Sequence, residues 1–237
     1  MRISGLDIFR GFAILLMITF HLSFDLDNFN IVDFDVRRGE FWKYFRYLIV
    51  SIFVFSAGIS LILANKEEIN FFKVKRRVIV LSFASLLVSI GSYTQFPNTW
   101  IYFGILHFFL FASIVGLLFL RFPKTSLFLG IFIILGYAFS IINMHWLFDI
   151  LKTPLHLPTK NTEDLATIFP WFGVFLLGMA FGNFGLHTVI FNNRFFNSPS
   201  RANRVLSYLG KNSLVIYLIH QPILFSIFLT AQYFGFI

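Results

Sequence analysis

The sequence predicts an all-α membrane protein: a bundle of about seven transmembrane helices, N-terminus in the cytoplasm and C-terminus outside. Three observations predict it. Hydrophobic residues make up 57% of the 237 and charged residues only 13%, with a mean hydropathy of +0.79. Apolar runs of spanning length recur along the chain, and basic residues collect in the connections between them. A soluble domain of this length could not bury that much apolar surface.

The runs fall at about 6–26, 43–64, 77–94, 99–121, 125–143, 165–185 and 206–231, and a crossing needs roughly 20 residues. The first is polar at both ends and lacks a small-residue cleavage site, so it reads as a retained helix and not a signal peptide. The third is the least apolar, carrying Ser82, Ser85, Ser89 and Ser92, and it ends in the turn signal Gln95-Phe96-Pro97-Asn98. Between the fifth and sixth lies the longest connection, Asn143 to Asp164, with Trp146, Pro154, His156 and Pro158. Such a loop caps a site or links two spans. The sixth run has Gly178 and Gly182 in the small-xxx-small spacing of closely packed helices. No repeat or linker divides the chain, and residues 1–237 read as a single integral-membrane domain.

Lys66, Lys73, Lys75, Arg76 and Arg77 place the connection between the second and third runs in the cytoplasm. Alternation then puts thirteen basic and three acidic residues inside, and six basic and eight acidic residues outside. Arg37, Arg38, Lys43 and Arg46 run against this scheme, nearly balanced by Asp27, Asp33, Asp35 and Glu40. The formal charge of +8 therefore signals topology and not a nucleic-acid partner. With no cysteine, disulfides, thiol nucleophiles and thiolate metal sites are excluded.

Ionisable groups inside a span are costly enough to be functional candidates by default. On the first run Asp7, Arg10, His21 and Asp25 share one side: eleven helical steps bring His21 to within about 20° of Arg10, roughly 16 Å further along the axis. Asp7 stands three residues before Arg10 and Asp25 four after His21, the spacings at which helix neighbours meet. A carboxylate beside His21 would select its tautomer and raise its basicity. On the predicted topology His107 and His220 lie in the same outer layer, with Tyr217 and Gln221 near His220. Pro222 frees a backbone carbonyl beside them. These imidazoles with a carboxylate would also suit zinc or iron. Nothing in the sequence brings their ring nitrogens together, and a close HxxxH pair is missing, so no metal is expected. At the cytoplasmic level Arg76, Arg77, Arg201, Arg204 and Lys211 join Arg10 as counter-charges for a phosphate-bearing ligand, or serve as ordinary positive-inside residues.

The segment RISGLDIFRGFAILLM at 2–17 resembles the opening of the heparan-alpha-glucosaminide N-acetyltransferase catalytic-domain family, including its small bacterial members. FVFSAGISL at 53–61, FPWFG at 169–173 and LGKNSLVIYLIHQP at 209–222 are similar to that family as well. The Arg-x10-His spacing of Arg10 and His21 also resembles the signature of the wider membrane acyltransferase superfamily that O-acetylates cell-surface glycans. The resemblance implies acetyl transfer from cytosolic acetyl-CoA to a hydroxyl or amine of a glycan or other envelope acceptor on the far side of a bacterial cytoplasmic membrane. The lysosomal enzyme's proposed catalytic His lies in the loop after its first matching span, whereas the loop from Asp27 to Trp42 has none. The role therefore transfers to His21 through the Arg-x10-His pattern, and the heparan acceptor does not transfer.

The expected reaction centre is His21, Asp25 and His220, with His21 as base oriented by Asp25, or as a covalent acetyl carrier. Acetyl-CoA is expected at Arg10, Asp7, Lys211, Arg76 and Arg77, and the acceptor at His107, Tyr217, Gln221 and Trp171. Membrane lipid, an outer-face acceptor and a second copy of the chain are the partner classes left open. A small-anion or proton-coupled transporter would also align Arg, His and Asp across a span, and a structural subunit would use the polar residues as packing glue. An opsin-like reading fails for want of a mid-helix lysine in the last run.

Overall fold

The computed structural model describes residues 3–65, 68–158, 162 and 164–236, and helices fall in each of the predicted apolar runs, with further short helices in the connections between them. They are α1 (Ser4–Asn28), α2 (Glu40–Ala64), α3 (Phe71–Gln95), α4 (Ile105–Val115, continued by a 3-10 turn Gly116–Phe119), α5 (Pro123–Ala138), α6 (His145–Lys152), α7 (Ile168–Asn183), α8 (Leu186–Phe191), α9 (Arg194–Asn197), α10 (Arg201–Lys211) and α11 (Ser213–Tyr233). Lys66 and Glu67 of the predicted cytoplasmic connection lie outside the described residues.

Among the described residues, α1, α2, α3 and α11 are long and apolar enough to cross a membrane. At 25 residues each, the first three are about 37 Å long, against roughly 30 Å of hydrocarbon. The apolar helices at Ile105–Phe119, Pro123–Ala138 and Ile168–Asn183 are shorter. The last two, of 16 residues each, reach about 24 Å.

The last predicted span is corrected at its start. Instead of one helix from 206, the chain ends α10 at Lys211 and begins α11 at Ser213. Asn212 makes the break: its backbone N–H and its side-chain amide both donate to the Tyr208 carbonyl, capping α10. Lys211 thus closes α10 rather than opening a span.

The chain folds as two compact units, residues 1–53 with 188–237, and residues 54–187. In the first unit α10 crosses the lower half of α1. A β-carbon at Gly11 would strike the Leu206 carbonyl and one at Gly210 the Asp7 carbonyl, so two glycines let the backbones meet. Asn203, Ser207 and Gly210 are the buried stripe of α10, while Arg201, Arg204 and Lys211 stay exposed. Above the crossing, Ile14, Met17 and Ile49 form a core lined by Phe45, Phe53, Leu209, Ile216 and Tyr217. The loop after α1 is folded over the Asp27 carboxylate, which accepts from the N–H groups of Phe34, Asp35 and Val36 at 2.8, 3.1 and 3.2 Å.

In the second unit the lower part of α2 meets α7 in the same manner. Gly178 rests on the Phe55 carbonyl and Gly58 on that of Phe175, which gives the predicted small-residue spacing its packing role. Phe108, Phe175, Leu176 and Met179 are wholly buried there.

Candidate active site

Five of the residues singled out from the sequence come together in the first unit, where the upper part of α1 faces α11. His21 and Asp25 lie one turn apart on α1; Tyr217, His220 and Gln221 lie within four residues of each other on α11. The His21 and His220 rings pack edge to face with centroids 4.8 Å apart. The Tyr217 ring lies tilted against that of His220, with centroids 5.6 Å apart.

Asp25 is fully buried, and its partner corrects the expectation that it orients His21. Its Oδ1 accepts from the Gln221 side-chain amide at 2.9 Å. The facing helix supplies the donor because the His21 ring is turned onto His220. The carboxylate therefore ties α1 to α11 instead of steering the imidazole a turn below.

His220 is 8% exposed, and its Nδ1 lies 2.7 Å from the Tyr217 carbonyl oxygen. A carbonyl only accepts, so Nδ1 donates and the lone pair of the neutral ring sits on Nε2. Among the described residues Nε2 of His220, Oδ2 of Asp25 and Oε1 of Gln221 are buried without a hydrogen-bond partner. Buried polar atoms are nearly always satisfied. Three acceptors short of a donor thus lie on the facing sides of α1 and α11, and N–H or O–H donors would satisfy them.

Below this layer the Arg10 guanidinium lies 3.3 Å from the buried Asp7 carboxylate, the pair predicted from their spacing. The Asp7 side chain is 2% exposed and that of Arg10 23%, so the carboxylate is the buried member of the pair. With Gly210 on the Asp7 backbone, the pair sits at the α1–α10 crossing. Lys211, exposed, ends α10 in the same unit.

The other predicted residues belong to the second unit. His107 uses both ring nitrogens: Gly104 N–H donates to Nδ1 at 3.2 Å, so Nε2 carries the proton toward Ser89 Oγ at 3.1 Å. Ser89 passes its own hydrogen to the Ile101 carbonyl at 2.7 Å. This chain locks the start of α4 to α3 and leaves His107 with no nitrogen free for an acceptor. Ser92 joins it, accepting from Ile101 N–H at 2.9 Å, which accounts for two of the serines that weaken the third run. Arg77 Nε donates to Ser113 at 2.9 Å while Arg76 is exposed. Trp171 is buried on α7, 9% exposed.

Sequence reasoning missed the Tyr217 carbonyl, which sets the His220 tautomer, and the pairing of Gln221 with Asp25. A histidine three residues after a carbonyl on a helix, and an amide next to it, were the available signals.

A profile described as heparan-alpha-glucosaminide N-acetyltransferase, catalytic, matches residues 2–222. No curated protein and no solved structure matches the chain. The chain belongs to the heparan-alpha-glucosaminide N-acetyltransferase catalytic-domain family. With its long apolar helices, that membership makes it an integral membrane protein.

Proposed function

We propose that the protein is a membrane acetyltransferase that moves an acetyl group from cytosolic acetyl-CoA to a hydroxyl or amine of a glycan or other acceptor on the outer face of a bacterial cytoplasmic membrane. One observation carries the reading. Asp25 Oδ2, Gln221 Oε1 and His220 Nε2 are buried acceptors without partners beside a pair of imidazoles. An acceptor amine or hydroxyl brings the missing donors, and a neighbouring imidazole is the group best placed to take its proton near neutral pH.

The family uses acetyl-CoA as acetyl donor, and the distribution of charge supports the same donor here. Arg10 and Lys211 offer cations for the nucleotide phosphates at the lower end of the first unit, and Arg76 and Arg77 fall on the same cytoplasmic side in the charge-based topology. Only the neutral thioester arm then has to enter the apolar interior. The topology is seven crossings with the N-terminus inside. The three shorter helices cross by local thinning of the bilayer and by the connections that flank them.

The test is incubation of the purified protein with radiolabelled acetyl-CoA and candidate acceptors, comparing wild type with His21→Ala. Acetyl transfer by the wild type that falls in the variant supports the reading. Transfer unchanged in the variant removes His21 from the mechanism.

A further inference from the structure

We propose that His220 Nε2, and not His21, is the proton acceptor of the transfer, an assignment that rests on the acetyltransferase reading and divides the labour between the two imidazoles. The Tyr217 carbonyl, 2.7 Å from Nδ1, holds the neutral His220 ring in one tautomer with its lone pair on Nε2. That nitrogen is buried and meets no partner among the described residues. Its direction is fixed before substrate arrives, which is the condition for efficient proton transfer. His21 is half-buried and has no hydrogen bond among the described residues that fixes either nitrogen. Its ring lies edge to face with His220 at 4.8 Å.

A positive charge formed on His220 opposes a second one on the adjacent ring, so the pair holds one extra proton at a time. His21 accordingly stays neutral while His220 is charged, and its N–H is free to donate to the thioester carbonyl oxygen as negative charge develops there. In the step itself the acceptor nitrogen or oxygen forms a bond to the thioester carbonyl carbon, and its proton passes to His220 Nε2. The carbon–sulfur bond breaks, CoA leaves as thiolate, and the imidazolium returns its proton to that thiolate or to water. Bonds, charge and protons balance without any further reactant.

Two nucleophiles separate the roles. Both amines, glucosamine and hydroxylamine, attack in the neutral form and lose a proton on the way to the amide. Hydroxylamine, a weaker base made more nucleophilic by its adjacent oxygen, attacks thioesters readily unaided and so depends far less on a base. Released CoA is read with a thiol reagent, which the cysteine-free chain leaves without background. We expect His220→Gln to slow transfer to glucosamine by about 10²–10⁴-fold and transfer to hydroxylamine by less than about tenfold. His21→Gln should slow both, since carbonyl stabilisation serves either nucleophile. A His220→Gln variant that loses both activities equally, or a selective loss of glucosamine transfer in His21→Gln, overturns the assignment. Nitrogen-15 NMR of the wild type needs no variant: His220 as the Nδ1–H tautomer supports the assignment, and the Nε2–H tautomer overturns it. A wild type that binds acetyl-CoA yet releases no thiol with either nucleophile overturns the acetyl-transfer reading itself.

Discussion

The side-chain amide of Gln221 donates to Asp25 Oδ1 at 2.9 Å, joining α1 to α11 across 196 positions of sequence. Removing that donor leaves a wholly buried carboxylate with neither oxygen paired. Gln221→Leu should therefore lower the unfolding midpoint in detergent, at a cost of about 1–3 kcal/mol. Gln221→Glu should do more harm, because it sets two carboxyl groups against each other at the same spot. The pair of thermal midpoints, with Gln221→Glu below Gln221→Leu, is the measurement. The reverse order would show that the Asp25 side chain does not depend on this amide.

The α1–α10 crossing is sterically unforgiving. An alanine β-carbon at Gly210 meets the Asp7 carbonyl, which belongs to backbone and cannot swing aside. Overpacking of this kind costs about 1–3 kcal/mol, so Gly210→Ala should lower the unfolding midpoint and Gly11→Ala should behave alike. Gly91 on α3 has nothing within 4 Å of an added β-carbon. Gly91→Ala should be neutral or stabilise by up to about 1 kcal/mol, the gain in helix propensity. Scanning fluorimetry of the three variants in one detergent decides the matter.

What the sequence made legible follows from which interactions are local. The apolar runs placed the helices because each helix satisfies its own backbone. The Asp7–Arg10 pair was readable because three residues on a helix fix the geometry. Asp25 was misjudged for the opposite reason: its partner comes from a different helix, and nothing within α1 announces it. The partners of His107 were hidden for the same cause, since Ser89 and the Gly104 N–H that bond it are brought by the fold of α3 and the loop before α4. The break at Asn212 was missed because hydropathy averages over it. The stripe of Asn203, Ser207 and Gly210 marks α10 as a separate helix with one polar buried face.

The Ser89–His107 pairing makes a second stability prediction. His107→Ala strands the Gly104 N–H and removes the donor to Ser89 Oγ, which keeps its own bond to the Ile101 carbonyl, and Ser89→Ala strands His107 Nε2. Each should destabilise the protein, and a double-mutant cycle on unfolding free energies should return a coupling of about 0.5–2 kcal/mol. A coupling of zero would mean that the two side chains do not bond.

Sidedness can be read directly because the chain has no cysteine of its own. Asn30 and Asn70 are poor reporters: Asn30 has φ +55°, a left-handed conformation cysteine resists, and the Asn70 side chain caps α3 by accepting from Lys73 N–H. Asp33 and Lys73 are exposed and outside such roles. In intact cells an impermeant maleimide should label Asp33→Cys, and it should label Lys73→Cys only after the membrane is opened. These two positions flank α2, so opposite labelling requires that this helix crosses the bilayer. Labelling of both from the same side would instead lay α2 along one face and remove the charge-based topology on which the expected outer layer of His21, Asp25 and His220 rests.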